Sequence, residues 1–295
     1  MNGKIIKGIG GFYYVADENG SVHECKAKGT FRNEGIKPLV GDDVLFERNA
    51  QTGQKDNYGL ITEILPRKNV LLRPAVSNID VLLLVISGKN PKADLMLLDK
   101  LLMQAQKQEI LPFVCINKID IGNVEAREIA AQYATAFETL LVSAKTGQGI
   151  ERLKKELKGK CVCLAGQSAA GKSSLINAVD ETVHLKTGGL SKKTARGKHT
   201  TRQTELLYLS QADIYIVDTP GFSAFEVEEA LPEEITRYYP EFFPFLDECK
   251  YSGCLHINEP DCGVKTAVQK GYVSKARYER YVKLVQWAQE HSNTY

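Results

Sequence analysis

The hydrophobic pattern changes character along the chain. Up to residue 66, apolar and polar positions alternate over short runs: "GFYYVAD" at 11–17, "SVHECKA" at 21–27, "DDVLFE" at 42–47 and "GLITEIL" at 59–65. Turn-prone stretches such as "ENGS", "NEG" and "QTGQ" break them. A period of two marks half-buried strands, and Gly/Asn/Ser clusters mark the turns between them. About five short strands with no clear helix predict a small barrel or sandwich of the OB type.

"PRKNVLLRP" at 66–74 reads as a linker bounded by prolines. After it the rhythm becomes strand, helix, strand. "IDVLLLVIS" is apolar throughout, as a strand buried on both faces must be. "KADLMLLDKLLMQAQKQ" has helical spacing, "ILPFVCIN" is a second buried strand, and "NVEAREIAAQYATAF" is helical again. "ETLLVS", "GIERLKKELKG", "KCVCLAG" and "KSSLINAVD" continue the alternation, which predicts a parallel α/β sheet. "TELLYLS" and "DIYIVD" add two strands after residue 202. Beyond 225 the pattern is helical and irregular, ending in an amphipathic helix at 273–290. The expected organisation is a β-barrel over 1–68, an α/β domain over 69–225 and a helical domain over 226–295.

Composition narrows this picture only slightly. The chain has 295 residues, 43% hydrophobic and 25% charged, as an ordinary globular protein has. Its longest apolar stretch, "VLLLVIS" at 81–87, is too short to cross a bilayer, and the N-terminus lacks a signal-peptide pattern. A cytoplasmic protein with no membrane partner is expected, and nothing suggests a dimer seam, so a monomer is expected. Its seven cysteines are then reduced thiols or metal ligands. The net charge of +2 hides a basic run at 182–202, with six Lys/Arg and no acid, and an acidic run at 226–248. The acidic run reads as a solvated face, whereas the Gly/Thr/Lys-rich basic run suits a loop near phosphate.

"GQSAAGKS" at 166–173 fits the phosphate-loop pattern, with a strand entering and a helix leaving. The backbone of Gly166, Gln167, Ser168, Ala169, Ala170, Gly171 and Ser174 would cradle phosphate at a helix N-terminus. Lys172 would reach the β- and γ-phosphates, and Ser173 would ligate Mg²⁺. Forty-five residues after Ser173, "DTPG" ends a strand. There Asp218 suits the Mg²⁺ shell, and Gly221 would let a backbone amide approach the γ-phosphate.

The base reader lies upstream. "NKID" at 117–120 follows a buried strand, and "VSAKTG" at 142–147 follows the next one. Asp120 would accept from the guanine ring N–H and amine, Lys118 would lie along the base plane, and Asn117 would tie the loops together. An amide of Ser143 or Ala144, next to Lys145, would donate to the guanine carbonyl. Base motifs preceding the phosphate loop mean a circularly permuted domain that binds GTP and GDP. The γ-phosphate sensors then run directly into the C-terminal segment, which could feel the nucleotide state.

"CKYSGCLHINEPDC" places Cys249, Cys254, His256 and Cys262 within fourteen residues, soft donors that suit one tetrahedral Zn²⁺. That segment has too few apolar residues for a core of its own, so the metal would supply folding energy. Cys25, Cys115, Cys161 and Cys163 read as buried thiols in strands. Lys275, Arg277, Arg280 and Lys283 suit either rRNA phosphates or a solvated face.

The order of barrel, "NKID", "SAKTG", "GQSAAGKSSLIN", "GKHTT", "DTPGF" and Cys/His cluster resembles the bacterial small-ribosomal-subunit biogenesis GTPases of the RsgA type. The resemblance spans nearly the whole chain. It implies an OB-fold, a permuted GTPase domain, a zinc-binding C-terminal domain, and ribosome-stimulated GTP hydrolysis late in small-subunit maturation, with that subunit and its rRNA as partners. Where many GTPases place a water-orienting Gln, this chain has Phe222. A lone loop histidine is usually solvated, but the resemblance implies that His199 of "GKHTT" takes part in hydrolysis. Thr200 or Thr201 would complete the Mg²⁺ shell. Ala169-Ala170 stands where relatives often have a Gly and a small apolar residue. Rival readings are a nucleotide-gated RNA-binding scaffold and a permuted GTPase acting on another RNA or a membrane partner.

Overall fold

The computed structural model describes residues 1–33, 35–48, 58–72, 74–185, 204–218 and 230–292. The alternating N-terminal segments form β1 (Asn2–Ile9), β2 (Phe12–Asp17), β3 (Val22–Ala27), β4 (Asp43–Glu47) and β5 (Gly59–Ile64). They pair in the order β1-β2-β3-β5-β4, and β4 returns to β1, so the sheet closes into a five-stranded barrel. Ile5, Val15, Cys25, Val44, Phe46 and Ile61 point inward, the period-two residues of each strand. A short helix, α1 (Thr30–Asn33), which the strand pattern does not announce, turns Phe31 into that core.

The stretch at 66–74 is no free linker. It carries β6 (Val70–Leu71), paired with β7 (Val76–Ser77), and it is knitted to both sides. Arg67 grips the fully buried Asp42 carboxylate with two nitrogens at 2.7 and 2.8 Å. Ser77 Oγ donates to the same carboxylate at 2.5 Å. The Asn69 side chain binds both the N–H and the carbonyl of Ile79. Alternation detects strands but is blind to such side-chain bonds.

The second unit follows as β8 (Val81–Ser87), α2 (Leu95–Lys107), β9 (Leu111–Asn117), α3 (Asn123–Tyr133), β10 (Glu138–Leu141), α4 (Ile150–Leu157), β11 (Cys161–Ala165), α5 (Lys172–Val179), β12 (Glu205–Leu209) and β13 (Ile214–Asp218). Strand order is β10-β9-β8-β11-β13-β12, parallel except for β12. Only four residues separate β12 from β13, too few for a crossover, so this pair is antiparallel. β12 also meets the barrel, where Lys7 pairs with Glu205.

Successive residues of β8 serve opposite faces. Leu82, Leu84 and Ile86 pack under α2 and α3, while Val81, Leu83 and Val85 pack under α4 and α5. The chain winds outward from β8 to β10, then returns through α4 to β11 on the other side of β8. Winding therefore reverses between β8 and β11, and ligands of such sheets bind at the carboxyl ends of the strands there.

The C-terminal unit contains α6 (Pro232–Ile235), a 3-10 helix at Pro240–Glu248, α7 (Gly263–Gln269) and α8 (Lys275–Ser292). Its core is aromatic: Tyr239, Phe242 and Tyr281 pack with ring centroids 4.9–5.2 Å apart. Met103 of α2 joins this cluster.

Candidate nucleotide site and Cys/His cluster

The phosphate loop lies at the switch point, between β11 and α5. Gly166 has φ +123°, and a Cβ there would run into the Val85 carbonyl. Gly171 has φ +97°, and its Cβ would lie 2.5 Å from Asn117 Nδ2. Both glycines are therefore required by close approach as well as by backbone angle. Ala169 stands at φ +60°, a left-handed conformation that costs an L-residue about 1 kcal/mol. Lys172 is buried, and its ammonium donates to the Gly166 and Gln167 carbonyls at 2.7 and 2.9 Å. Burial pushes its pKa down to about 8. A phosphate beside it would supply the countercharge that burial removes.

Asn117 is the knot of the base side. It is 2% exposed and ends β9. Its Nδ2 donates to Ala170 O at 3.0 Å, and its Oδ1 accepts from Lys118 N–H at 2.8 Å and Ala144 N–H at 3.0 Å. One buried amide thus joins the phosphate loop, the "NKID" turn and the "SAKTG" turn. Lys118 Nζ donates to Ala169 O and Asn90 O, both at 2.7 Å. Ser143 Oγ donates to Asp120 Oδ1 at 2.8 Å, which fixes an exposed carboxylate at the rim.

The two amides expected at the guanine carbonyl have partners within the chain. The Ser143 N–H donates to Gln148 O at 2.9 Å, and the Ala144 N–H is held by Asn117. Both amides are engaged because the turn closes on itself and on Asn117. The Lys145 N–H, one residue further on, makes no hydrogen bond to a described residue.

Ser173 sits half-buried in the first turn of α5. Asp218 ends β13, one residue beyond the Val217–Cys163 register pair. The Asp218 side chain, His199, Thr200, Thr201, Gly221 and Phe222 lie outside the described residues.

Cys249, Cys254, His256 and Cys262 converge, with ligand atoms all within 4.8 Å of one another. Cys249 Sγ lies 3.8 Å from Cys262 Sγ and 3.5 Å from His256 Nδ1, and the latter lies 3.3 Å from Cys262 Sγ. A tetrahedron with Zn–S bonds of about 2.3 Å has edges near ~3.8 Å, so three thiols and one imidazole fit that ion. The loop that carries them brings little apolar surface of its own. It rests on the aromatic core beneath, and the hydroxyls of Tyr278 and Tyr281 on α8 donate to His256 O and Leu255 O at 2.6 and 2.9 Å.

Comparison with known proteins agrees with this geometry. Residues 64–228 match the RsgA GTPase domain and residues 2–56 the RsgA N-terminal domain. The chain belongs to the RsgA GTPase family. It is 44% identical to the small ribosomal subunit biogenesis GTPase RsgA of Clostridium beijerinckii, covering 97% of both chains. It is 43% identical to the protein of that name from Agathobacter rectalis, covering 95% and 96%. The crystal structure of YjeQ from Thermotoga maritima superposes with a TM-score of 0.81 at 35% identity, covering 98% of both chains. That of YloQ, a circularly permuted GTPase, gives 0.78 at 33%, covering 98% and 95%. As a family member the chain is a GTP-hydrolysing enzyme on a permuted scaffold.

Within this RsgA-family chain, two arginines offered to rRNA are spent internally. Arg277 is 1% exposed and donates to Asp99 Oδ1 at 2.6 Å and to Glu241. Arg280 donates to Asp99 Oδ2 at 2.6 Å, to Gln132 Oε1 and to Tyr133 Oη. Burial works against the Arg277 charge, but Asp99 and Glu241 hold its pKa above the ordinary value. Lys275 and Lys283 remain exposed. The signal for this network was Asp99 itself, an acid set among Leu95, Leu98 and Leu102 on the apolar face of α2. The stretch 88–94, which holds Lys118 through Asn90 O, carried no motif.

Proposed function

We propose that this chain hydrolyses GTP to GDP and phosphate while bound to the small ribosomal subunit, late in that subunit's maturation. The observation that carries the reading is the Asn117 knot, which joins a phosphate loop to two guanine-type turns at the carboxyl ends of one sheet. The names of the relatives supply the subunit.

In this reading Asp120 accepts from the guanine N–H groups, Lys118 lies along the base, and the Lys145 amide meets the carbonyl. The amides of 166–174 bind the phosphates, and Lys172 bridges the β- and γ-phosphates. Ser173, Asp218 and Thr200 or Thr201 hold Mg²⁺, which when bound offsets the phosphate charge. Water attacks the γ-phosphorus, and the bond to the β–γ bridging oxygen breaks. With Phe222 unable to orient that water, His199 serves, and the subunit helps to place it. Zn²⁺ is held by Cys249, Cys254, His256 and Cys262 and stiffens the loop between them. The protein acts in the cytoplasm as a monomer, touching rRNA through its flanking modules.

The test is the GTP hydrolysis rate of the pure protein, alone, with small subunits and with large subunits. Stimulation by small subunits only is expected, and His199→Ala should lose it while still binding GTP. GTP-dependent subunit binding without stimulated turnover would replace this reading with that of a scaffold.

A further inference from the structure

Gln167 lies inside the phosphate loop, yet both ends of its side chain are spent on a different segment. Its Oε1 accepts from Asp94 N–H at 3.1 Å, and its Nε2 donates to Lys92 O at 2.9 Å. Asp94 is the N-cap of α2, its carboxylate accepting from Leu97 N–H at 2.9 Å. Five residues on, about 7.5 Å along the helix axis, Asp99 meets Arg277 and Arg280 of α8. Their helix neighbours Tyr278 and Tyr281 hold the carbonyls of His256 and Leu255. Every step from the phosphate loop to the Cys/His loop is thus a direct hydrogen bond, an ion pair or a rigid stretch of helix.

We propose that Gln167 is a positioning residue that couples occupancy of the phosphate loop to the C-terminal Cys/His unit through α2 and Asp99. The proposal rests on the nucleotide reading of the site. It differs from coupling through the γ-phosphate sensors, because this route starts at the Gln167 bonds to Lys92 and Asp94 and requires no γ-phosphate. A phosphate that draws on the loop amides moves or stiffens Gln167, and the cap of α2 follows. GDP should therefore be felt at α8 as well as GTP.

The test is hydrogen exchange over 255–262 and 275–290 of the full-length protein, with and without saturating GDP, for wild type, Gln167→Ala, Arg280→Gln and the double variant. Arg280→Gln leaves the Arg277–Asp99 pair in place and lies far from the nucleotide, so it reads the same coupling from the other end. GDP affinity is titrated in parallel with a fluorescent GDP. In wild type, GDP should slow exchange over 275–290 about fivefold, the low end of ordinary coupling between sites. Each single variant should cut that to under about twofold, and the double variant should lower GDP affinity about threefold less than the product of the single effects. Bound GDP with no change over 275–290 in wild type, or a change that survives both single variants, would overturn the coupling and leave the nucleotide reading intact. A wild-type protein that binds no GDP would overturn that reading, and the proposal with it.

Discussion

At its N-terminal end α2 meets the nucleotide loops through neutral bonds, partly open to solvent, around Gln167 and Lys92. One and a half turns on it meets α8 through Asp99, where two carboxylates and the Arg277 guanidinium are shut away from water and Arg280 is largely so. Neutral bonds at a surface are worth about 1 kcal/mol each and exchange readily with water or ligand. A buried charge network adds little over an apolar contact, but losing one member leaves its partners stranded, at about 3–5 kcal/mol. The first contact suits a region that must yield as nucleotide comes and goes. The second suits a joint made once, at folding.

The largest expected effect lies at the Cys/His loop, which Tyr278 and Tyr281 hold from the same turns of α8 that carry Arg277 and Arg280. Chelation, or Cys262→Ser, would remove the cross-link that a bound Zn²⁺ supplies to a loop with little core of its own, and such ions contribute about 10 kcal/mol or more in small sites of this kind. Limited proteolysis should then cut within 249–262 while GDP still binds. Loss of GDP binding as well would mean that the two regions fold as one. Next comes Asp99→Ala, expected to cost about 3–5 kcal/mol in urea unfolding. Replacing Asp99, Glu241, Arg277 and Arg280 together by apolar residues of similar size should cost far less, and an equal cost would refute the stranded-charge account. Asn117→Ala should weaken GDP binding by roughly 100-fold, about 3 kcal/mol, since the three loops it ties lose the geometry that meets the nucleotide, with a smaller change in the unfolding midpoint because the freed loop groups can turn to water. A large loss of stability there would erase the contrast between the regions. The smallest effect is Ala169→Gly, which relieves a left-handed alanine and should raise thermal stability by about 1 kcal/mol.

Much of the architecture was legible in advance because it depends on period and length. The apolar runs at 79–87, 110–117 and 160–166 had no place except in a buried parallel sheet, and the helices between them left right-handed crossovers as the way to connect them. The four soft ligands at 249–262 could be grouped because they are neighbours in sequence. The engaged amides of Ser143 and Ala144 could not be foreseen, since backbone groups are identical in every residue and only the folded turn assigns them. Arg277 and Arg280 misled for a related reason. A helix face with four cations looks basic in sequence, and only packing against α2 reveals that two of them neutralise Asp99 and Glu241.

The phosphate-loop and guanine-type motifs, their order along the chain, the five short strands of the first unit and the grouping of three cysteines with a histidine can be read from the sequence. Each of these is local: a strand, a turn, or donors a few residues apart. Folding alone sets that β6, β7 and their neighbours form a joint, which groups Asn117 binds on each loop, and that α2 spans from the phosphate loop to α8. Those facts join residues tens to nearly two hundred positions apart, from Asn117 and Ala170 to Asp99 and Arg280. No local pattern encodes such a contact, because it is the closing of the core that brings the partners within reach.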